Sequence, residues 1–569
     1  ATYPKEISVI REEREKAKRL QALYAKKVMD ASDNGDNNVM DILDQYYDNV
    51  NLFEEHTWGA DVKTWLGPDR VYGKNEFIKE KKKENYQFME NSWKEQKERA
   101  INASVARSQM KIQIEKKSSQ GISFFNPSSA EFTGWVVMDD QSINYNQTAL
   151  LIDGKSLPVA KINGEWACYV QQLPPFTTVP LEIKEGAVLT QGLIYKDEDG
   201  IVKIENHRYT LTFSKVSGGI LGLYDKQLKK MLLENIGDKP VFSYQYDRYG
   251  IDEVTNYLKD FAYRYYTWGI QDYGREAYPE CIHKTYHPKF LSHSIKDHTI
   301  TFLYEGRESV ERYGDAKQVS LSITLPPVGD EVFIKLDLIN KQETPYIESG
   351  TFLFPFADAQ NYKINKSSSV LDPAKDIQED ANHVLYCLEN FMSAENNENG
   401  ICIITKDAPL VSLGDTGIYK YLKNYREPDK AIAYFNLFNN MWGTNFPQWI
   451  EGDLSYRFIL FGYEKSESRS LHEKAAMLQE GIEITGNHLE NDASKLPEHM
   501  QLINVRKTED GLVLRFKDLL GEEAIRKLQV PGYHITSIDL HNRKIDKDTL
   551  DEIEFPVKPY GIYSFLISK

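Results

Sequence analysis

Cysteine is scarce in this chain: Cys168, Cys281, Cys387 and Cys402 are the only four in 569 residues, and none forms a Cys-x-x-Cys pair. A disulfide scaffold and a thiolate zinc knot are thereby excluded. No apolar run approaches the roughly 18 residues of a membrane-spanning helix. The opening, Ala-Thr-Tyr-Pro-Lys-Glu, carries no signal-peptide hydrophobic region. It implies either a cytoplasmic protein or a chain whose beginning has been removed. The compartment stays open, with periplasmic or secreted favoured over cytoplasmic. Positive charge is also in deficit: 69 Lys plus Arg against 85 Asp plus Glu give −16. A general binder of nucleic acid or anionic membrane needs the opposite sign over most of its face. Internal repeats and low-complexity tracts are lacking too. Apolar residues make up 41% of the chain, and 35 Tyr, 25 Phe and 8 Trp bring the aromatics to 12%. Such a chain can bury large cores, which excludes disorder as a description of the whole. At about 150 residues per domain, three or four units are expected.

The periodicity divides the chain. A first helix from Pro4 is highly charged, with Ile7, Ile10, Ala17, Leu20, Tyr24 and Val28 as a sparse stripe. A second carries the cleaner pattern Val39, Ile42, Leu43, Tyr46, Tyr47 and Val50, a face packed along its length. A third is expected from about Lys74 to Lys116. Together these predict a three-helix bundle over residues 1–117. After Ser118 the period shortens. Runs such as Tyr209-Thr-Leu-Thr-Phe, Val332-Phe-Ile-Lys-Leu-Asp-Leu and Tyr456-Arg-Phe-Ile-Leu-Phe alternate with Asn-Pro, Asp-Gly and Gly-Gly turns. The expected class is α+β, mostly β. A large antiparallel β-sandwich spans 118–486, with a small β subdomain possible at its start (118–190) and a helix near Ser468 to Glu480. A polar linker and a small C-terminal β unit fill 487–569.

Several segments carry candidate chemistry, each with a bland alternative. Glu54-Glu55-His56-Thr57-Trp58-Gly59-Ala60-Asp61 lies between the second and third helices. A His among carboxylates suits a metal ligand or a substrate contact, and equally a capped helix end. Trp58 and Asp61 are the accompanying substrate-contact candidates. Asp30 to Asp41 has the oxygen spacing of a calcium loop, but polar Asn37 at position 8 and short Asp41 at position 12 favour a plain connector. Tyr244-Gln-Tyr-Asp-Arg and Tyr263-Arg-Tyr-Tyr-Thr-Trp268 combine rings that stack on sugars with groups that bond hydroxyls; a tyrosine-rich β-surface explains them as well. The run Phe435 to Trp449, with Asn440, Trp442 and Asn445, sets amides beside indoles. That suits a neutral polyol, or turns closed around a buried Trp.

Taken in order, several segments resemble glycoside hydrolase family 38, the α-mannosidases. They are Phe124-Phe-Asn-Pro-Ser, Leu173-Pro-Pro-Phe, Glu205-Asn-His-Arg-Tyr-Thr-Leu, Gly219-Ile-Leu-Gly-Leu-Tyr-Asp-Lys, Leu336-Asp-Leu-Ile-Asn-Lys, Phe352-Leu-Phe-Pro-Phe, Asn440-Met-Trp-Gly-Thr-Asn-Phe-Pro and Pro556 to Ile567. The resemblance implies a galactose-mutarotase-like sandwich behind a helical bundle. It also implies an N-terminal β/α barrel carrying nucleophile, acid/base and most zinc ligands, which these residues do not include. One zinc ligand of the family is a His in a His-Asp dipeptide at the end of a bundle helix. By resemblance His56 takes that place, with Thr57 where the family has a substrate-contacting Asp, a departure that suits a divergent branch.

Hydrolysis with retention needs two carboxyl groups about 5 Å apart. The expectation is therefore the bundle-and-sandwich portion of a family-38-like hydrolase, silent alone, sharing zinc or another divalent cation with a barrel. Trp58, Asp61, Trp268, Trp442 and Asn445 are expected at the carbohydrate and His56 at the metal, with a homo-oligomer possible. The alternative is a non-catalytic carbohydrate-binding protein. A polysaccharide lyase would need a far longer helical region and fits the acidic charge poorly.

Overall fold

The computed structural model describes residues 2–30, 37–116, 121–138, 143–186, 192–262, 269–270, 273–275, 278–486, 489, 494–546 and 548–569. The chain opens with helices α1 (Pro4–Met29), α2 (Asn37–Phe53), the single turn α3 (Val62–Trp65), α4 (Lys74–Glu80) and α5 (Glu84–Glu115). Helices α1, α2 and α5 pack as the expected bundle. The long third helix of the sequence reading is two helices, broken at Lys81–Lys83. Consecutive lysines repel, and Lys81 turns aside to pair with Glu90 at 2.8 Å and Glu343 at 2.5 Å. Of the Asp30 to Asp41 segment, residues 31–36 lie outside the described residues, and from Asn37 the chain is already in α2.

The charge on α1 has a structural cause. Besides its apolar stripe the helix buries Glu13, Gln21 and Lys26, because it is covered on several sides. Glu13 accepts both Arg107 donors from α5, at 2.6 and 3.2 Å. Arg11 donates to the carbonyl oxygens of Glu389, Thr405 and Lys406 at 2.8 to 2.9 Å. Arg19 meets Glu483 at 3.0 Å. The polar face of α1 is thus its docking face on the β region.

Two large antiparallel sheets face each other across the main core. The nine-stranded sheet is centred on Val332–Lys341, Gly452–Glu464 and Asn399–Thr405; the six-stranded one is centred on Glu348–Pro355 and Ile432–Asn439. Leu336, Phe458 and Ile403 from the first meet Phe352 and Phe435 from the second, and the meander over residues 194–234 adds Leu211 and Leu223. Two smaller sheets enclose a separate core of Phe124, Phe132, Leu150 and Cys168. After α6 (Ile251–Phe261), α7 (Glu308–Arg312) and α8 (Leu471–Glu480), the strand Glu483–Thr485 pairs with Ile122–Phe125. Helix α8 stands where a helix was expected, whereas α6 has no counterpart in the sequence reading. It buries Val254, Tyr257 and Leu258 on one face, and the Glu253 carboxylate accepts from the Gly250 amide at 2.9 Å.

The five-stranded C-terminal sheet, Met500 to Ser568, folds back onto the bundle. Val505, Leu514 and Phe516 belong to the same core as Leu20, Leu23 and Leu43. The two ends of the chain therefore share one interior.

Candidate functional site at the helix hinge

The segment after α2 is pinned from both ends. Trp58 is turned into the core, donating its indole N–H to the Phe53 carbonyl at 2.6 Å and meeting the Phe53 ring edge-on at 5.0 Å. Gly59 has φ +93°, and a Cβ there would sit 2.8 Å from the Trp93 ring, so the turn requires glycine. Asp61 caps α3: its Oδ2 accepts from the Thr64 amide at 3.2 Å and the Thr64 hydroxyl at 2.6 Å. With both flanks fixed, Glu55, His56 and Thr57 project outward.

The imidazole of His56 is 90% exposed. Its Nδ1 lies 2.5 Å from Glu55 Oε1, and its Nε2 lies 3.3 Å from the Thr57 hydroxyl. The Thr57 amide donates to Glu55 Oε2 at 2.8 Å. That bond, followed by the neighbouring imidazole, holds the Glu55 carboxyl below its usual range. Glu54 goes the other way, pushed up by burial although Arg14 pairs with it. A carboxylate on one ring nitrogen is the contact that orients a metal-binding histidine; here the other nitrogen faces the Thr57 hydroxyl. Among the described residues no three His, Cys, Asp or Glu side chains form a metal-holding group. Any cation held here would take at most one ligand of this kind, the His56 imidazole, from this face.

The loop after Ile432–Asn439 meets the hinge. The Thr444 carbonyl accepts from the Val62 amide at 3.0 Å, and the Asn445 amide donates to the His56 carbonyl at 3.4 Å. Asn440, fully buried, closes the loop by donating to Tyr346 and Gln448 carbonyls and accepting the Glu348 amide. Trp449 anchors it in the bundle, its indole donating to Glu90 at 2.8 Å and its ring packed on Phe77, Tyr86 and Trp93. Trp442 stays half-buried against Tyr273 and Phe261, 5.1 and 5.8 Å between centroids.

Of the sequence candidates, the structure thus brings His56 and Asn445 together, with Trp442 on the same loop as Asn445. Trp58 presents no open face to a sugar, because its ring is needed to fill the space under the hinge. Asp61 spends one carboxylate oxygen on its cap. Trp268 lies outside the described residues. The Tyr244–Arg248 strand is interior: the hydroxyls of Tyr244 and Tyr246 reach Asp315 and Glu348 at 2.9 and 2.7 Å.

A cavity of about 790 Å³ runs along α1 from the hinge itself, where Glu54, Glu55 and His56 line it, and is bounded also by α2, the sandwich turns near residues 366–368 and 387–390, and the C-terminal sheet. Nothing in the spacing of α1 announces it, because its walls come from segments hundreds of residues apart.

A family model described as a domain of unknown function (DUF5054) matches residues 19–168. No curated protein matches the sequence. An α-mannosidase from Enterococcus faecalis V583 superposes on 99% of this chain and 68% of its own, with a TM-score of 0.61 and 11% identity. A protein in glycosyl hydrolase family 38, also from Enterococcus faecalis, superposes on 100% of this chain and 70% of its own (TM-score 0.59, 11% identity). A galactose mutarotase-like protein from Lactobacillus casei ATCC 334 covers 46% of this chain and 100% of its own (TM-score 0.27, 11% identity). From end to end, the chain has the fold of the matching portion of the two Enterococcus proteins.

Proposed function

We propose that this chain is the bundle-and-sandwich portion of a carbohydrate-active glycoside hydrolase resembling the family-38 α-mannosidases. In this reading the hinge supplies His56 as one ligand of a divalent cation, zinc by resemblance. A barrel domain outside these residues supplies the remaining ligands and both catalytic carboxyls. The observation that carries the reading is the outward, carboxylate-oriented imidazole of His56, set on the fold shared with the two Enterococcus proteins. The apolar side chains left in water on one face of α5 support it: Ile101, Val105 and Ile112 are 60, 50 and 63% exposed. Their i, i+4, i+11 spacing makes a stripe suited to a docked domain.

Such a cation, when bound, would hold sugar hydroxyls and stabilise developing charge at the reacting carbon. What this chain contributes is position. Glu55 fixes the imidazole plane and its tautomer, and Asn445 ties the hinge backbone to the sandwich loop. Trp442 offers a partial apolar face to a sugar ring.

The test is hydrolysis of aryl glycosides, beginning with the α-mannoside, by the whole natural protein with and without zinc. Zinc-dependent cleavage that disappears in His56→Ala, with folding intact, is the expected result. Cleavage that ignores both zinc and His56, or no cleavage of any aryl glycoside, overturns the proposal. Residues 1–569 alone are expected to be silent.

A further inference from the structure

The cavity that starts at the hinge differs in charge from the rest of the molecule. The chain carries −16 overall, yet this space is lined by Arg11, Arg14, Lys18, Lys366 and Lys517 against Glu15, Glu54, Glu55 and Glu389. Most of these groups are spent on each other. Arg14 pairs with Glu54, Lys18 with Glu15 at 2.7 Å, and Lys517 with Glu389 at 2.9 Å. Glu55 is taken up by His56 and the Thr57 amide. Arg11 donates to four backbone carbonyls, and Asp407 behind it is held by Arg457.

Lys366 is left over. Its ammonium makes no ion pair or hydrogen bond among the described residues, and the half-buried side chain keeps its nitrogen open to solvent. Lys366 ends the strand Asn361–Lys366, and Ser367 and Ser368 turn the chain into Ser369–Leu371. Both serines have positive φ, 49° and 69°, the two-residue turn that Asn-Gly fills most easily. Serine is strained there, and such strain clusters at ligand sites. Both serines line the cavity beside Lys366, and their hydroxyls are unbonded among the described residues. Glu389 does not answer the ammonium, because its two oxygens are occupied by Lys517 and by the Ser368 amide at 2.7 Å.

Resting on the carbohydrate reading above, and for the same site, we infer that the substrate is an anionic glycoside, whose phosphate or sulfate ester lies in this cavity and is selected by Lys366. Such an ester offers only acceptor oxygens and negative charge, which an unpaired ammonium flanked by two hydroxyls complements. A cation would meet surplus positive charge, and a wholly neutral sugar would leave the ammonium unanswered. Glu54, which burial already pushes toward its neutral form, opposes an anion less than a fully ionised carboxylate would. The volume leaves room for a sugar with its ester, since small-ligand pockets span roughly 300–1,000 Å³. Lys366 acts on specificity, while the reacting bond belongs to the hinge.

Titration calorimetry of the whole natural protein tests this with mannose, with mannose carrying a phosphate or a sulfate on its primary hydroxyl, and with inorganic phosphate. At least one of the two esters is expected to bind tenfold or more tighter than mannose, an advantage that shrinks as salt is added. Lys366→Ala is expected to abolish that advantage and to leave mannose binding unchanged, while Lys366→Arg keeps most of it. Neither variant is expected to shift the thermal midpoint of the unliganded protein, since the ammonium has no partner to lose. No binding of either ester, equal binding of mannose and the esters, or an advantage that survives Lys366→Ala overturns the inference. So does inorganic phosphate bound as tightly as the sugar ester, which would make the cavity an anion site without a sugar. If the ester preference holds while no glycoside is cleaved, the hydrolase reading alone fails.

Discussion

The side-chain amide of Asn445 donates to the backbone carbonyl of His56 across 389 positions of sequence, at 3.4 Å. The bond is long, beyond the usual 2.7–3.2 Å range, and therefore weak. Its effect is to tie an outward imidazole to a loop that is itself rigidly held. Asn445→Ala is expected to cost less than about 1 kcal/mol in denaturant unfolding while speeding hydrogen exchange at the amides of Thr57 and Trp58. Unchanged exchange there would separate the two segments. His56→Ala is expected within about 0.5 kcal/mol of the parent, as for other exposed side chains, so any loss of zinc-dependent activity would not reflect unfolding.

The loop's rigidity comes from residues behind it. Trp449→Ala is expected to cost about 3–5 kcal/mol, since it empties a space between three aromatic rings and strands its hydrogen bond to Glu90. Asn440→Ala removes three hydrogen bonds from a fully buried site and is expected to cost about 2 kcal/mol or more. Urea midpoints of both variants check this.

Gly59→Ala is expected to destabilise by roughly 1–3 kcal/mol, because alanine is strained at positive φ. The added methyl would also press on the Trp93 ring. A neutral effect in thermal unfolding would mean that the hinge backbone relaxes.

Two buried groups make stability depend on pH in opposite senses. His472, bonded to the Leu519 carbonyl and facing Asn365, is pushed down by burial from 6.5 to about 4. The unfolded chain binds more protons in that window, so stability present above pH 6.5 is lost as pH falls toward 4. Burial pushes Glu348, beside Lys341 and Tyr246, up from 4.5 to about 7. There the folded chain binds more protons, and stability falls as pH rises from 4.5 to 7. At about 1.4 kcal/mol per unit, each effect is on the order of 3 kcal/mol. Unfolding free energies measured from pH 4 to 7.5 are expected to lose stability less steeply on the acid side in His472→Gln. In Glu348→Gln the decline with rising pH is expected to disappear. Parallel pH profiles for the parent and either variant would contradict that assignment.

Much of the architecture was legible from local pattern. The period of α2 and the short alternating runs such as Val332–Lys341 depend on neighbours in sequence, and those neighbours still face the same way in the fold. The break at Lys81–Lys83 was not legible, because Glu343 lies far along the chain. Nor was the division of labour among tryptophans. Trp58 and Trp449 became core, while Trp442 kept part of a face open, although Trp58 and Trp442 are each followed directly by glycine.

The sequence by itself determined that the first 115 residues are helical, that most of the remainder is antiparallel β, and that a family-38-like order of segments runs through it. Periodicity and turn chemistry act within a few residues, so they survive into any fold the chain adopts. Only the tertiary structure decided which polar groups found partners. Arg11 was spent on carbonyls nearly 400 positions away, while Tyr46, read only as part of an apolar stripe, kept a buried hydroxyl with no hydrogen-bond partner among the described residues. Hydrogen bonds are satisfied across space, and spacing along the chain does not record which donors and acceptors will meet.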